Sequence, residues 1–241
     1  MNVKLSALAL GITLAWGGMS VALADTATIE QSGGFSYATI DQSNNDGSYV
    51  DASITTSGWN NFHEIEQTRS ERVWAEIDAP GSFNTASIEQ DRLNYGGAQI
   101  YQAAHGSSAS IDQGSSGGWG WGWGGDAQNQ WATINQNGGW GHDASIVQRG
   151  DRLTANVTQT GFSNTADIDQ RGNGVAANRV DVVQSGSNQY ANVAQDGHDL
   201  RATVTQSGWG NVAMVDMSGN SHTATVTQSG SFNYGSVTQG N

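Results

Sequence analysis

From Ala27 to Gln239 apolar and polar residues alternate in short blocks, most clearly in Ala86-Ser87-Ile88-Glu89-Gln90, Ala166-Asp167-Ile168-Asp169-Gln170 and Ala224-Thr225-Val226-Thr227-Gln228. A period of two puts every second side chain on one face, so each block predicts a β-strand. Ala, Ile or Val, and Gln share the face read as the core; Ser, Thr, Asp and Glu share the face read as solvated. Aligned on the glutamine, the block recurs from Gln31 to Gln239 in 19 slots spaced mostly 11 or 12 residues apart. Glycine two residues past the glutamine, as at Gly33 and Gly161, supplies the positive φ of a sharp bend. Two strands and two bends close one turn of about 22 residues, which predicts an all-β, two-sheet β-solenoid of strand-bend-strand turns with cross-β geometry.

Alternate slots should stack on each other in the same sheet. One set holds Gln42, Gln67, Gln90, Gln113, Gln136, Gln159, Gln184, Gln206 and Gln228 without exception, whereas the departures Thr56, Ala79, Gly125 and Met217 all fall in the other. The unbroken set predicts a single ladder in which glutamines one rung apart, about 4.8 Å, bond side chain to side chain and so offset the cost of their burial. The residue before each of its first glutamines is Asp41, Glu66, Glu89 and Asp112, followed by Asn135, Thr158, Val183, Thr205 and Thr227. Four carboxylates stacked about one rung apart repel. They form either a solvated face that keeps the monomer soluble or a gate relieved by acid or divalent cations.

Composition narrows the class. Met1 to Ala24 holds Lys4, the apolar run Leu5 to Trp16 and the small-residue site Ala22-Leu23-Ala24, which predicts a secretory signal peptide over 1–24 and a repeat domain over 25–241. That run is too short for a bilayer-spanning helix, and no later stretch is longer or more apolar. Removing 24 residues from 241 leaves 217 and takes away the lysine, so 8 Arg face 22 Asp and Glu, a net charge of −14. Such a surface is a poor partner for nucleic acid or anionic membranes. The chain has no cysteine and only one proline, so backbone pairing and packing, not disulfides, must hold an exported product together.

Asn84 through Gln90, Asn164 through Gln170 and Asn233 through Gln239 place Asn two residues before the alanine slot and Gln four after it, with Gly235 replacing Ala in the last; Asn61 through Gln67 matches with His63 in the alanine slot. In this the sequence resembles the curlin family, the subunits of bacterial curli fibres. The resemblance implies a structural, non-enzymatic protein that self-assembles into extracellular amyloid of the biofilm matrix and mediates adhesion and aggregation. It also implies a surface-bound nucleator subunit, export through a dedicated outer-membrane pore, and periplasmic chaperones. The chain departs from that family in lacking the Asn in many units, in its many half-turns, and in starting its repeats almost at the cleavage site, where curlins carry a Gly/Asn-rich segment.

Five histidines (His63, His105, His142, His198 and His222) show no metal-ligand spacing, and no Ser/His/Asp cluster recurs, so no cofactor, metal or catalytic site is expected. His63 reads as a tolerated bulky residue near one end. Gly117 to Gly125, with Trp119, Trp121 and Trp123, fills the slot of one expected strand and reads either as an adhesive aromatic face or as a Gly-rich loop. Aromatic residues recur in the bends, at Phe35, Trp59, Phe83, Trp140, Phe162, Trp209 and Phe232, where stacking along the axis accounts for them. The alternative is a monomeric ice-binding or carbohydrate-binding solenoid, since Thr203, Thr205, Thr225 and Thr227 should lie side by side; Asp181 and Val183 interrupt that face.

Overall fold

The computed structural model describes residues 25–45, 49–115, 127–172 and 174–240. They form eighteen strands in two nine-stranded sheets, entirely parallel. The first sheet contains β1 (Thr26–Gln31), β3 (Asp51–Thr56), β5 (Glu71–Ala79), β7 (Leu93–Gln102), β9 (Ala127–Trp140), β11 (Leu153–Phe162), β13 (Asn178–Ser187), β15 (Arg201–Trp209) and β17 (Thr223–Ser231). The second contains β2 (Tyr37–Ser43), β4 (Phe62–Thr68), β6 (Thr85–Asp91), β8 (Ser108–Gly114), β10 (Asp143–Arg149), β12 (Thr165–Gly172), β14 (Tyr190–His198), β16 (Val212–Asn220) and β18 (Tyr234–Gln239). The chain therefore passes from one sheet to the other at every bend, and each strand pairs with the next but one, as the repeat predicts.

The main core is a slab between the sheets, with a second, small cluster of Val50, Val73, Leu93 and Ala127 beside it. Ala52, Ile54, Ala75 and Ile77 of the first sheet belong to the same buried cluster as Ala86, Ile88, Ala109 and Ile111 of the second. Residues between them stay at least partly exposed, as in the burial alternation of β6 and β10. A parallel ladder in register repeats each inward residue over its equivalent, which is why Ile65, Ile88, Ile111, Ile146 and Ile168 form one column. One bend shows why glycine recurs: at Gly161, with φ 105°, a Cβ would lie 2.0 Å from the carbonyl oxygen of Gly186 one rung on.

One expected rung is absent from the stack. β9 pairs directly with β7, and β10 directly with β8, so no strand stands between the members of either pair. The offset between stacked glutamines is 23 residues from Gln67 to Gln90 but 34 from Gln102 to Gln136 and 35 from Gln113 to Gln148. The excess nearly equals half a turn, so the spacing of glutamines alone reads an insertion as a strand. Trp119, Trp121, Trp123 and Gly125 lie outside the described residues.

Candidate assembly site

The lost half-turn changes which glutamines meet. Gln42, Gln67, Gln90 and Gln113 belong to the second sheet and continue into Gln148, Gln170 and Gln195, whereas Gln136, Gln159, Gln184, Gln206 and Gln228 belong to the first and follow Gln102. The single nine-residue ladder read from the sequence is thus two ladders in opposite sheets. The departures separate accordingly: Thr56 and Ala79 fall in the first sheet and Met217 in the second.

Within each ladder the amides connect in one direction. Gln42 Nε2 donates to Gln67 Oε1, Gln67 to Gln90, and Gln90 to Gln113, each at 2.8 Å. In the other sheet Gln136 donates to Gln159 at 3.0 Å, Gln159 to Gln184 at 2.9 Å and Gln206 to Gln228 at 2.8 Å. The second N–H of each amide crosses the core: Gln67 donates to Asp51 O at 3.2 Å, Gln136 to Ser108 O at 2.8 Å and Gln206 to Tyr190 O at 3.0 Å. A fully buried amide keeps both donors occupied only because the same residue stands one rung away, so the ladder is satisfied by repetition. These bonds also clamp the two sheets together.

A second polar column lines one bend. Asn61 Nδ2 donates to Gly81 O at 2.9 Å while its Oδ1 accepts from the backbone N–H of Asn84, also at 2.9 Å. Asn84 repeats this with Ala104 O and the N–H of Ser107, Asn164 with Gly186 O and the N–H of Gln189, and Asn211 with Gly230 O and the N–H of Asn233. Burial leaves backbone groups at a bend without water, and these side chains supply the partners.

The two edges of the solenoid differ in chemistry. Every bend leading from the first sheet to the second is free of Asp, Glu, Arg and Lys, and seven of the nine carry an aromatic residue, from Phe35 to Phe232. Phe35 contacts Trp59, His105 contacts Trp140, and Trp209 meets Phe232 edge to face at 4.4 Å between ring centres. All eight arginines after Lys4 lie at the opposite edge, in or beside the connections from the second sheet to the first; Arg69 there pairs with Asp91 of the next rung at 2.7 Å.

Asp41, Glu66, Glu89 and Asp112 stack in register on the outer face of the second sheet. Their continuation is Val147, Asp169, Ala194, Asp216 and Thr238; Asn135, Thr158, Val183, Thr205 and Thr227 stand on the other sheet. Partial burial, with Asp112 and Glu66 on either side, raises the Glu89 carboxyl above its usual value. Arg149 closes the column by pairing with Asp112. His63 fills an alanine slot between Ala38 and Ala86, fully buried, and neither ring nitrogen has a partner. Burial pushes its pKa down to about 4. Thr203 and Thr225, and Thr205 and Thr227, pair as read from the sequence, and Asp181 and Val183 break that face on the preceding rung. Among the described residues, no group of three or more His, Asp or Glu is placed to hold a metal ion, and no helix is long and apolar enough to cross a membrane.

Three stretches of the chain, residues 150–174, 176–208 and 197–230, match the curlin associated repeat. Those matches span β11 to β17, where inward Ala, Val or Ile, and Gln recur with Asn at the bend. Residues 150–230 are thus similar to curlin repeats. Comparison with curated proteins finds no match.

Among the described residues both terminal rungs are open. β1 and β2 at one end, and β17 and β18 at the other, each have a neighbouring described strand on one side only. Tyr37 stacks on Phe62 with rings 5.1 Å apart and 10° from parallel; Tyr234, at the equivalent position of the last rung, is 69% exposed. Nε2 of Gln31 has no partner, because Thr56 follows it in the ladder. Sequence reasoning found the columns and missed the parity of the rungs; the template itself held the signal, since residues 121–125 carry neither the alanine nor the β-branched residue that its inward slots require.

Proposed function

We propose that this protein, after removal of residues 1–24, is secreted and polymerises head to tail into an extracellular, curli-type amyloid fibre of the biofilm matrix. The observation that carries the reading is the fit between the two open rungs. Laying β17 of one copy on β1 of the next, in the register used throughout the stack, sets Ala224 on Ala27, Val226 on Ile29 and Gln228 on Gln31. β18 on β2 sets Val237 on Ile40, Gln239 on Gln42 and Tyr234 on Tyr37. Each ladder then donates across the junction in the direction it runs inside the chain, and unpaired edge groups gain partners by strand addition. Outward Thr227 and Thr238 meet Glu30 and Asp41, so the junction sets no acid on an acid. A nucleating subunit, an outer-membrane pore and periplasmic chaperones are the partners that the repeat family suggests.

The test is assembly of purified residues 25–241. Thioflavin-positive fibres with a spacing of about 4.8 Å along the axis are expected. Parallel strands bond their two neighbours on alternate residues, and Arg201 N–H already bonds His222 O, so the N–H of Thr225 faces the open edge. Thr225→Pro should leave the monomer folded and stop addition at β17, acting as a chain terminator when mixed into native protein. Growth of pure Thr225→Pro at the native rate would refute head-to-tail addition through this edge.

A further inference from the structure

We infer that the uncharged aromatic edge is a lateral contact surface for a second copy of this chain, through which fibres pair side by side; this rests on the polymerisation proposed above. The edge presents one aromatic ring on most rungs, from Trp209, 45% exposed, to Phe35, 84% exposed. Rings this exposed are not satisfied by stacking on their own neighbours. Phe83 and Phe162 are still more than half exposed.

Charge selects the occupant. The outer faces of both sheets carry carboxylates, such as Glu64, Glu66 and Asp167 on one and Glu30, Glu76 and Asp181 on the other, and the remaining edge mixes arginines with acids. Two copies with a net charge of −14 approach without like-charge contact only along the aromatic edge, where nine successive bends hold no carboxylate. That edge is self-complementary, as side-by-side pairing of identical filaments needs.

Size decides when the contact forms. Nine rungs of about 4.8 Å give a ridge about 40 Å long, and a width of about 10 Å makes about 400 Å² per copy, half of what each partner of a stable interface buries. One copy is too small to hold another. Head-to-tail growth places Phe232 beside Phe35 of the next copy, so the ridge runs on without a break and the small contact is multiplied along the fibre. The monomer should therefore stay single while fibres bundle.

The experiment measures filament number per fibre by electron microscopy and mass per length for two variants of residues 25–241. The first, Trp59→Thr/Trp140→Thr/Trp209→Thr, removes the largest rings. The second, Asn60→Asp/Asn188→Asp, keeps every ring and puts charge on the edge at two exposed corners whose positive φ (53° at each) aspartate tolerates. Native fibres are expected to be bundles, and both variants single filaments with unchanged cross-β spacing; the charged variant should bundle again in about 1 M salt, where its new charges are screened. Trp74→Thr/Trp131→Thr, on a sheet face, should bundle as the native chain does. Native-width bundles from either edge variant would overturn the inference while leaving polymerisation intact, and so would native fibres that are single but coat an insoluble polysaccharide through the same tryptophans. Failure of the native chain to form any fibre would overturn polymerisation and the pairing that depends on it.

Discussion

Protonation of His63 should set the acid limit of the fold. The imidazole sits in the slab with no exposed surface, between Ala38 and Ala86, and both nitrogens lack partners. Its pKa is held near 4 by burial, against about 6.5 in an unfolded chain. The folded value is the lower one, so the unfolded state binds more protons between these limits, and the stabilising contribution present above pH 6.5 is lost as pH falls toward 4. At pH 4.5 the loss works out at about 2.5 kcal/mol relative to neutral pH. His63→Ala restores the residue of the flanking rungs. At pH 7 its two main effects oppose: unpartnered ring nitrogens vanish, worth about 1 to 3 kcal/mol each, and a void appears at a cost of about 2 to 5 kcal/mol. Neither depends on pH, so the informative quantity is the change between pH 7 and pH 4.5. Urea unfolding of freshly desalted monomer, followed by circular dichroism, should show the native midpoint falling further than that of the variant. With a slope of about 2.5 kcal/mol per molar the excess is about 1 M. Equal shifts for the two proteins would refute the argument.

Gln159→Leu removes the acceptor for Gln136 and the donor to Gln184 and should lower stability by about 2 to 4 kcal/mol, measured by the same unfolding; Gln31→Leu, whose amide nitrogen is already unpartnered, should change it little. Replacing the acid column by amides (Asp41→Asn, Glu66→Gln, Glu89→Gln, Asp112→Asn) should shorten the lag of fibre formation at pH 8 and weaken the acceleration in acid. The sign follows from Glu89, whose folded pKa is raised: its penalty is present at high pH and disappears as pH falls through that value toward the unfolded one. A full pH response in the amide variant would show the column to be solvated decoration.

The strands, their inward residues and the two-sheet stack were legible because one rule, alternation with a fixed spacing, is applied eighteen times. Parity was not. Assigning strands to sheets by counting fails when an insertion nearly equals half a turn, and everything after Gln113 then moves to the opposite sheet. Testing each slot for all of its inward residues would have exposed the gap, since Trp121-Gly122-Trp123-Gly124-Gly125 satisfies none of them. The division between an uncharged and an arginine-bearing edge was also present in the sequence. It lies in the bends, to which an alignment on strand glutamines is blind. The isolation of His63 was beyond reach of the sequence, because a buried histidine with a partner and one without occupy the same slot.

If copies stack head to tail as proposed, the corrected parity changes where the fibre is strong. Within one copy the first sheet lacks its ladder at Thr56 and Ala79, near the start, and the second lacks it at Met217, near the finish. In a head-to-tail stack Gln228 meets Gln31 and Gln239 meets Gln42, so both columns are glutamine at the joint between copies. The interruptions fall inside each copy. Amide ladders lose a bond wherever a neighbour is missing, and backbone pairing is continuous throughout. The joint therefore carries a full set of rung bonds, while the rungs of Thr56, Ala79 and Met217 carry fewer. Such a fibre, when stressed, should yield first at those internal rungs, which makes the proposed copy boundary no weaker than the folded unit it extends.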